Sequence, residues 1–498
     1  MKTSNDKNSA EKKISSRVLC KSICFLSGVL LLVGIALRAV SEWYDLNYEM
    51  SFKELLYTLL SPLEGTGEGM IEEIVGAIIP SVRVAFLIYL VFAIAARKKH
   101  AMLMLGLSLS VALLVNSGMY AYKAFGIDEY VKLKDEFTTI YDDEYINPND
   151  VSITSDGKPK NIIYIYLESM ETTYASKELG GYNDENYIPY LTQLANENIT
   201  FSDKGSGMLG GFISPTGTGW TIAAMMGSLC GVPFAFPVED NSMDERETFA
   251  SGITAFGDIL AEKGYAQVFL CGSDVAFGGR EGLYTEHGGY VLYDLYSARE
   301  EGYIPEDYHV WWGYEDKYLY DIAKDKITEM AAGSQPFNFT MLTVDTHAVG
   351  GYVCSECGSD YDNITANVVK CADRQIYEFI EWCKGQDFFE DTVIVISGDH
   401  PRHDQNIIGG AKNEQRTIYN CFINSAVGVS GSALNRTFTT FDMFPTVLAA
   451  MGFTIEGDRL GLGVNMFSGM ETLAERFGYG NFNAEISKYS EYYILNFS

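Results

Sequence analysis

The chain is poor in basic residues. Its 36 lysines and arginines face 66 aspartates and glutamates, giving a formal net charge of −30 over 498 residues. No basic stripe is present to neutralise a run of phosphates, which excludes nucleic acid as a partner. Such a charge fits a domain standing in water and salt. A second CxxC is also missing. Cys354 and Cys357 form one, Cys371 and Cys383 follow, and a zinc knot wants four ligands at paired spacing. Of nine cysteines, Cys20 and Cys24 fall at the first apolar run, which leaves an odd seven beyond it. In an oxidising compartment a local disulfide set is the expectation. Finally, no small-residue cleavage site follows the first apolar run before Glu42 and Trp43, so an uncleaved anchor is expected.

What is present is unevenly spread. Mean hydropathy is close to zero, but the average hides a greasy first quarter and a water-soluble remainder. Three stretches, residues 23–40, 75–96 and 101–122, approach the roughly 20 apolar residues that a membrane helix needs. Lys2, Lys7, Lys12, Lys13, Arg17 and Lys21 precede the first, and Arg97, Lys98 and Lys99 fill the turn between the second and third. Between the first and second lie Glu42, Asp45, Glu49, Glu54, Glu64, Glu68, Glu72 and Glu73 against Lys53. Basic loops stay cytoplasmic, so this pattern predicts a cytoplasmic N-terminus, residues 1–22, and an extracytoplasmic remainder. Arg38 is expected to reach outward and Arg83 to face a neighbouring helix. Residues 52–63 form a further amphipathic piece suited to the membrane surface.

Residues 123–159 are charged, aromatic and unperiodic, with NPND and SDGKP turn clusters, and read as a linker to a domain over 160–498. In that domain the runs NIIYIYLE, AQVFL, FNFTMLTV and TVIVI alternate with helical patterns at residues 188–198, 249–264, 318–332 and 367–384. Continuous apolar strands separated by helices predict a parallel sheet covered on both faces, an α/β sandwich.

Ligands of such sheets bind beyond the carboxyl ends of the strands. Glu168 ends the first run, Asp345 and His347 follow the third, and Asp399, His400 and His403 follow the fourth in SGDHPRHD. Carboxylates with imidazole suit a divalent metal. The glycine-rich stretch SGMLGGFISPTGTGWTIAAMMGSLCGVPF then runs into a small-residue helix beginning near Thr221. A helix N-terminus favours phosphate, and a threonine there can serve as a metal-activated nucleophile. Spacing alone favours the plainer reading, in which Thr216, Thr218 or Thr221 simply caps a helix.

The strings YLES with Glu168, GTGWT with Thr221, FGGREGLY with Arg280, LTVDTH with His347 and SGDH with Asp399 and His400 carry a resemblance. Together with TTFDMFPTVLAAMG and RLGLGVNMFS, they make the chain resemble the lipoteichoic acid synthase and phosphoglycerol transferase family, within the alkaline phosphatase and sulfatase superfamily. The resemblance covers roughly residues 160–469 and the architecture of membrane helices followed by an outer sulfatase-like α/β domain. It implies that Glu168, Thr221, Asp399 and His400 hold one divalent ion, manganese or magnesium, with zinc as an alternative. Thr221 would be the nucleophile, Arg280 would grip phosphate or glycerol, and His347 would bind substrate and shuttle the proton. Trp220 stands where teichoic acid synthases carry a polar residue and is expected among the substrate contacts. His403 has no family counterpart and is expected at a second metal or behind the first.

The implied activity moves glycerophosphate from phosphatidylglycerol to a glycan, glycolipid or polyglycerolphosphate acceptor at the plasma membrane. Two alternatives come from the same superfamily. A sulfatase-type hydrolase would want a CxPxR-like nucleophile string, which SPTGTGWT does not provide. A phosphoethanolamine transferase would want more zinc-binding histidines.

Overall fold

The computed structural model describes residues 3–47, 52, 55–56, 69–96, 100–155, 157, 159–235, 248–412 and 416–497. The chain divides into two compact units. One comprises Met1–Phe52 and Glu68–Val131, the other Lys53–Gly67 and Lys132–Ser498.

The first unit is built on three helices, Thr3–Asn47 (α1), Gly69–Ala96 (α2) and His100–Ala124 (α3). Small residues let them approach: a Cβ on Gly34 would lie 3.2 Å from the Leu114 backbone, and the Ser27 and Ser110 hydroxyls bond at 3.1 Å. Large apolar side chains instead cover the outside, with Phe25, Leu87, Val91, Leu109 and Met119 all exposed. A soluble core helix would bury such residues, whereas a lipid-facing helix displays them. Segments Val18–Leu46 and Ala101–Ala124 are long and apolar enough to cross a bilayer, and Ile78–Ile94 in α2 is shorter. These helices mark a membrane protein. Arg38 pairs with Glu42 at 2.5 Å and lies over the Tyr120 ring. Arg83 does not face a neighbouring helix as expected but is exposed. Ala85, two residues on, is the buried one, and two residues rotate a helix by about 200°. The side chains of residues 1–17, the basic turn at 97–99 and most of the amphipathic piece at 52–63 lie outside the described residues.

The second unit surrounds a six-stranded sheet. Its strands are Asn161–Leu167 (β1), Ala266–Cys271 (β2), Val291–Tyr293 (β3), Phe337–Leu342 (β4), Thr392–Gly398 (β5) and Asn420–Ile423 (β6). They lie in the order β3-β2-β4-β1-β5-β6, parallel except for β6, which runs antiparallel to β5. The sheet is therefore mixed rather than wholly parallel. Along β1, Ile162, Tyr164 and Tyr166 enter one core cluster while Ile163, Ile165 and Leu167 enter the other. A strand apolar at every position can bury both faces, and the sequence run NIIYIYL answers to that. Helices Asp316–Ala331 and Ile364–Lys384 contribute to one of these cores, and Thr221–Cys230 and Met443–Ala450 to the other.

The expected linker belongs largely to this unit. Ile140 and Tyr141 are buried, the Tyr141 hydroxyl donates to the Ile486 carbonyl at 2.9 Å, and Ile153–Thr154 pairs with Thr454–Ile455. The aromatic residues that broke its periodicity are the ones it buries: Tyr141 and Tyr145 pack on Tyr493 and Phe497. The expected disulfide set is not formed, since Cys354, Cys357, Cys371 and Cys383 are free thiols. Cys383 sits apart, buried in a hydrophobic core, while the other three cluster.

Candidate active site

Register builds the site before any side chain is considered. Leu167 at the end of β1 pairs with Gly398 at the end of β5, so the next residues, Glu168 and Asp399, emerge side by side. Gly398 is required there, because an added Cβ would lie 2.0 Å from the Met170 carbonyl oxygen. Ser169 takes a left-handed backbone (φ 53°), and its N–H donates to Asp399 Oδ1 at 2.7 Å. The Ser169 hydroxyl donates to Glu168 Oε1 at 2.6 Å, and the His400 N–H donates to Asp399 Oδ1 at 2.8 Å.

Helix Thr221–Cys230 supplies the fourth group. Ala223, Ala224 and Gly227 let it lie close to its surroundings, where a Cβ on Gly227 would meet Thr218 at 2.9 Å. Ser228 fixes it to β1 through the Tyr166 hydroxyl at 2.8 Å. Thr221 is the first residue of the helix, yet Trp220 is its cap and makes no side-chain capping bond. The Thr221 hydroxyl instead lies 3.4 Å from both Glu168 Oε2 and His400 Nε2. Thr218 is fully buried and bonds the Pro215 carbonyl, whereas Thr221 stands with Glu168.

Glu168, Asp399 and His400 are all buried, with ligating atoms within 4.8 Å of one another. Burial opposes ionisation of Glu168, but His347, His400 and the Ser169 hydroxyl outweigh it and hold its carboxyl at about 2. Burial, with Glu168 as neighbour, pushes Asp399 well above the usual carboxylate range. Burial also lowers His400 to about 3 and lowers His347. Two buried carboxyl groups and an imidazole thus share one space.

That donor set fits a metal ion. Asp399 Oδ2 is buried and makes no hydrogen bond, while Oδ1 is satisfied twice. Neighbouring donors stand 3.4 to 3.6 Å apart. That is close to the edge, about 3.4 Å, of a tetrahedron whose corners lie about 2.1 Å from its centre. Carboxylate, hydroxyl and imidazole ligands suit manganese, magnesium or zinc.

The remaining candidates lie around this group. The His347 Nδ1 bonds the Ala348 carbonyl at 2.5 Å, which directs Nε2 as the basic nitrogen. Arg280 is buried near the end of β2, donating to Ser273 Oγ at 3.0 Å and the Asp274 carbonyl at 2.6 Å. These bonds do not reach the carboxylates. His403 bonds the Gly219 carbonyl at 2.8 Å and stacks on His400 at 4.8 Å, so it backs the site. Trp220 is not open to substrate as expected. Its ring is buried in a hydrophobic core, edge-on against Phe234.

Sequence reasoning missed Trp312, whose half-buried ring lies 4.5 Å from that of His347. The WWG string that carries it was the available signal. Also missed was the buried support beneath the site. Arg416 forks onto Glu171, Arg402 forks onto Asp404, and Arg402 also donates to the Thr346 carbonyl.

Residues 160–453 match the sulfatase family. The chain belongs to that family. It has the alkaline-phosphatase/sulfatase-like α/β fold that the motifs implied. It is similar to phosphoglycerol transferase I of Xanthomonas axonopodis pv. citri, 30% identical over 309 residues, covering 59% of this chain and 42% of that one. It is also similar to phosphoglycerol transferase I of Salmonella choleraesuis, 31% identical over 457 residues, covering 85% and 54%. The chain thus spans about half the length of the curated relatives it matches. Among solved structures, a lipoteichoic acid synthase from Listeria monocytogenes aligns with a TM-score of 0.49 at 18% identity, covering 65% of this chain and 82% of that one.

Proposed function

We propose that this protein is a metal-dependent phosphoglycerol transferase of the cell envelope. It moves glycerophosphate from phosphatidylglycerol to an envelope glycan, glycolipid or polyglycerolphosphate acceptor and releases diacylglycerol. The observation that carries the reading is the Thr221 hydroxyl, aimed away from helix capping and toward Glu168 and His400 at 3.4 Å each. The kinship with phosphoglycerol transferases supports the choice of donor.

Glu168, Thr221, Asp399 and His400 would hold the ion, which supplies Lewis-acid stabilisation of negative charge when bound. Thr221 Oγ attacks the phosphorus of the donor. The Thr221–phosphorus bond forms, the bond from phosphorus to the diacylglycerol oxygen breaks, and that oxygen takes up a proton. The free N–H groups at the start of helix Thr221–Cys230 face the phosphate oxygens. His347, kept neutral by burial, handles the proton at Nε2. In the second half an acceptor hydroxyl attacks the same phosphorus: its oxygen–phosphorus bond forms, the Thr221–phosphorus bond breaks, and the proton the acceptor gives up returns to Thr221 Oγ. Arg280 matches phosphate through its planar fork. The membrane helices keep the enzyme beside a donor and a product that both remain in the bilayer. In this reading the chain is multi-pass, α2 completes three spans, the N-terminus is cytoplasmic and the catalytic domain is extracytoplasmic.

The test is release of fluorescent diacylglycerol from acyl-labelled phosphatidylglycerol by the full-length protein with manganese. Thr221→Ala should lower turnover about a thousandfold or more while leaving the fold intact. Undiminished release by that variant removes Thr221 from the chemistry. Consumption of phosphatidylethanolamine instead moves the protein to the phosphoethanolamine branch.

A further inference from the structure

We propose that Cys354, Cys357 and Cys371 form a second metal site, a three-thiolate seat for a thiophilic divalent cation of the zinc class. The site shares no residue with the catalytic group. Cys354 and Cys357 occupy the loop that leaves β4 through His347, and Cys371 lies on helix Ile364–Lys384. The CxxC spacing turns two sulfurs toward one point, and the fold brings the third sulfur to them from the helix. Cys354 Sγ stands 3.6 Å from Cys357 Sγ and 3.9 Å from Cys371 Sγ. For thiolates about 2.3 Å from a tetrahedrally coordinated ion, the corner-to-corner distance is about 3.8 Å. Two edges match that tetrahedron and all three sulfurs lie within 4.8 Å of one another, with half-buried Cys357 on the side where a further ligand such as water could enter.

Hydrogen-bond donors face the sulfurs. Gln375, one turn beyond Cys371 and buried, donates its Nε2 to Cys371 Sγ at 3.2 Å and reaches Cys354 Sγ at 4.0 Å, while its Oε1 has no partner. Arg374 Nη2 lies 3.8 Å from Cys371 Sγ. Outer groups that donate to ligand sulfurs are what tune and orient a thiolate site. A bound cation would pin the loop to the helix. The same loop folds back on the residues just past β4, where the Tyr352 N–H donates to the Asp345 carbonyl at 2.7 Å, two residues before His347. The cation would therefore act on His347 only as a structural clasp.

The experiment uses full-length, reduced, metal-stripped protein titrated with cadmium alone. Cadmium bound to sulfur shows a charge-transfer band in the near ultraviolet, whereas the oxygen and nitrogen donors of the catalytic group give none. Wild type and Thr221→Ala should show the same band, saturating at one equivalent. Cys371→Ser should lose it, and Gln375→Leu, which keeps all three sulfurs, should weaken binding about tenfold. In unmutated protein, cadmium should protect Cys354, Cys357 and Cys371 together from alkylation, a readout that no folding defect can mimic. Absence of the band in wild type overturns the proposal. So does a disulfide between two of the three cysteines in protein taken from its membrane without reductant, with no zinc retained.

Discussion

The Thr221 hydroxyl lies 3.4 Å from Nε2 of His400 across 179 residues of chain. Helix Thr221–Cys230 delivers one partner and the turn after β5 delivers the other, so the contact depends on the seating of both.

Gly398 positions the second partner. A methyl group there would press on the Met170 carbonyl oxygen. Gly398→Ala should cost about 1–3 kcal/mol of stability. It should also weaken manganese binding, because Asp399 and His400 follow directly. Calorimetric titration of the metal beside denaturant unfolding would check both effects. Unchanged affinity would show that the turn absorbs the methyl without moving its ligands.

Glu171 and Arg416 form a buried, forked ion pair, and Glu171 also accepts the Arg402 N–H at 3.0 Å. Removing one partner strands a charge in the interior. Glu171→Gln should therefore destabilise the domain by about 3–5 kcal/mol, as read by denaturant unfolding. A loss below about 1 kcal/mol would mean that water reaches Arg416.

His287 provides a pH dependence remote from the site. Its Nδ1 faces Asp258 at 2.9 Å and its Nε2 faces the Phe249 carbonyl at 2.8 Å, two acceptors that both want an N–H. Burial alone would lower its pKa, but the Asp258 carboxylate outweighs burial and raises it above 6.5. A raised histidine contributes stability that is fully present below its unfolded pKa and is lost as pH rises through the folded one. The stability gap between wild type and His287→Gln should thus be widest below pH 6.5 and shrink on the alkaline side. A gap that grows with pH would mean the ring is neutral in the folded state.

The central strands were legible because burial on both faces writes them as unbroken apolar runs, as in β1 and β5. The edge strands were not. Val291–Tyr293 has three residues, and Asn420–Ile423 opens on an asparagine whose side chain bonds the Phe201 backbone at both its oxygen and its nitrogen. Glu168, Asp399 and His400 were readable because strand ends concentrate ligands in such folds. Thr221 needed the family resemblance, since a cap and a nucleophile look alike in sequence. Trp220 misled because adjacent residues at a helix start diverge, so the site faces Thr221 and the core receives Trp220. The meeting of Cys371 with the CxxC is tertiary, set by where one helix crosses one loop, and no spacing announces it.

The central claim is a covalent glycerophosphate on Thr221. Full-length protein with manganese, mixed with phosphatidylglycerol and quenched in acid, can be digested and mapped by mass spectrometry. The account predicts one glycerophosphate added to the peptide carrying Thr221, formed with diacylglycerol release and discharged by acceptor. Turnover without that adduct, or an adduct on another residue, would contradict it.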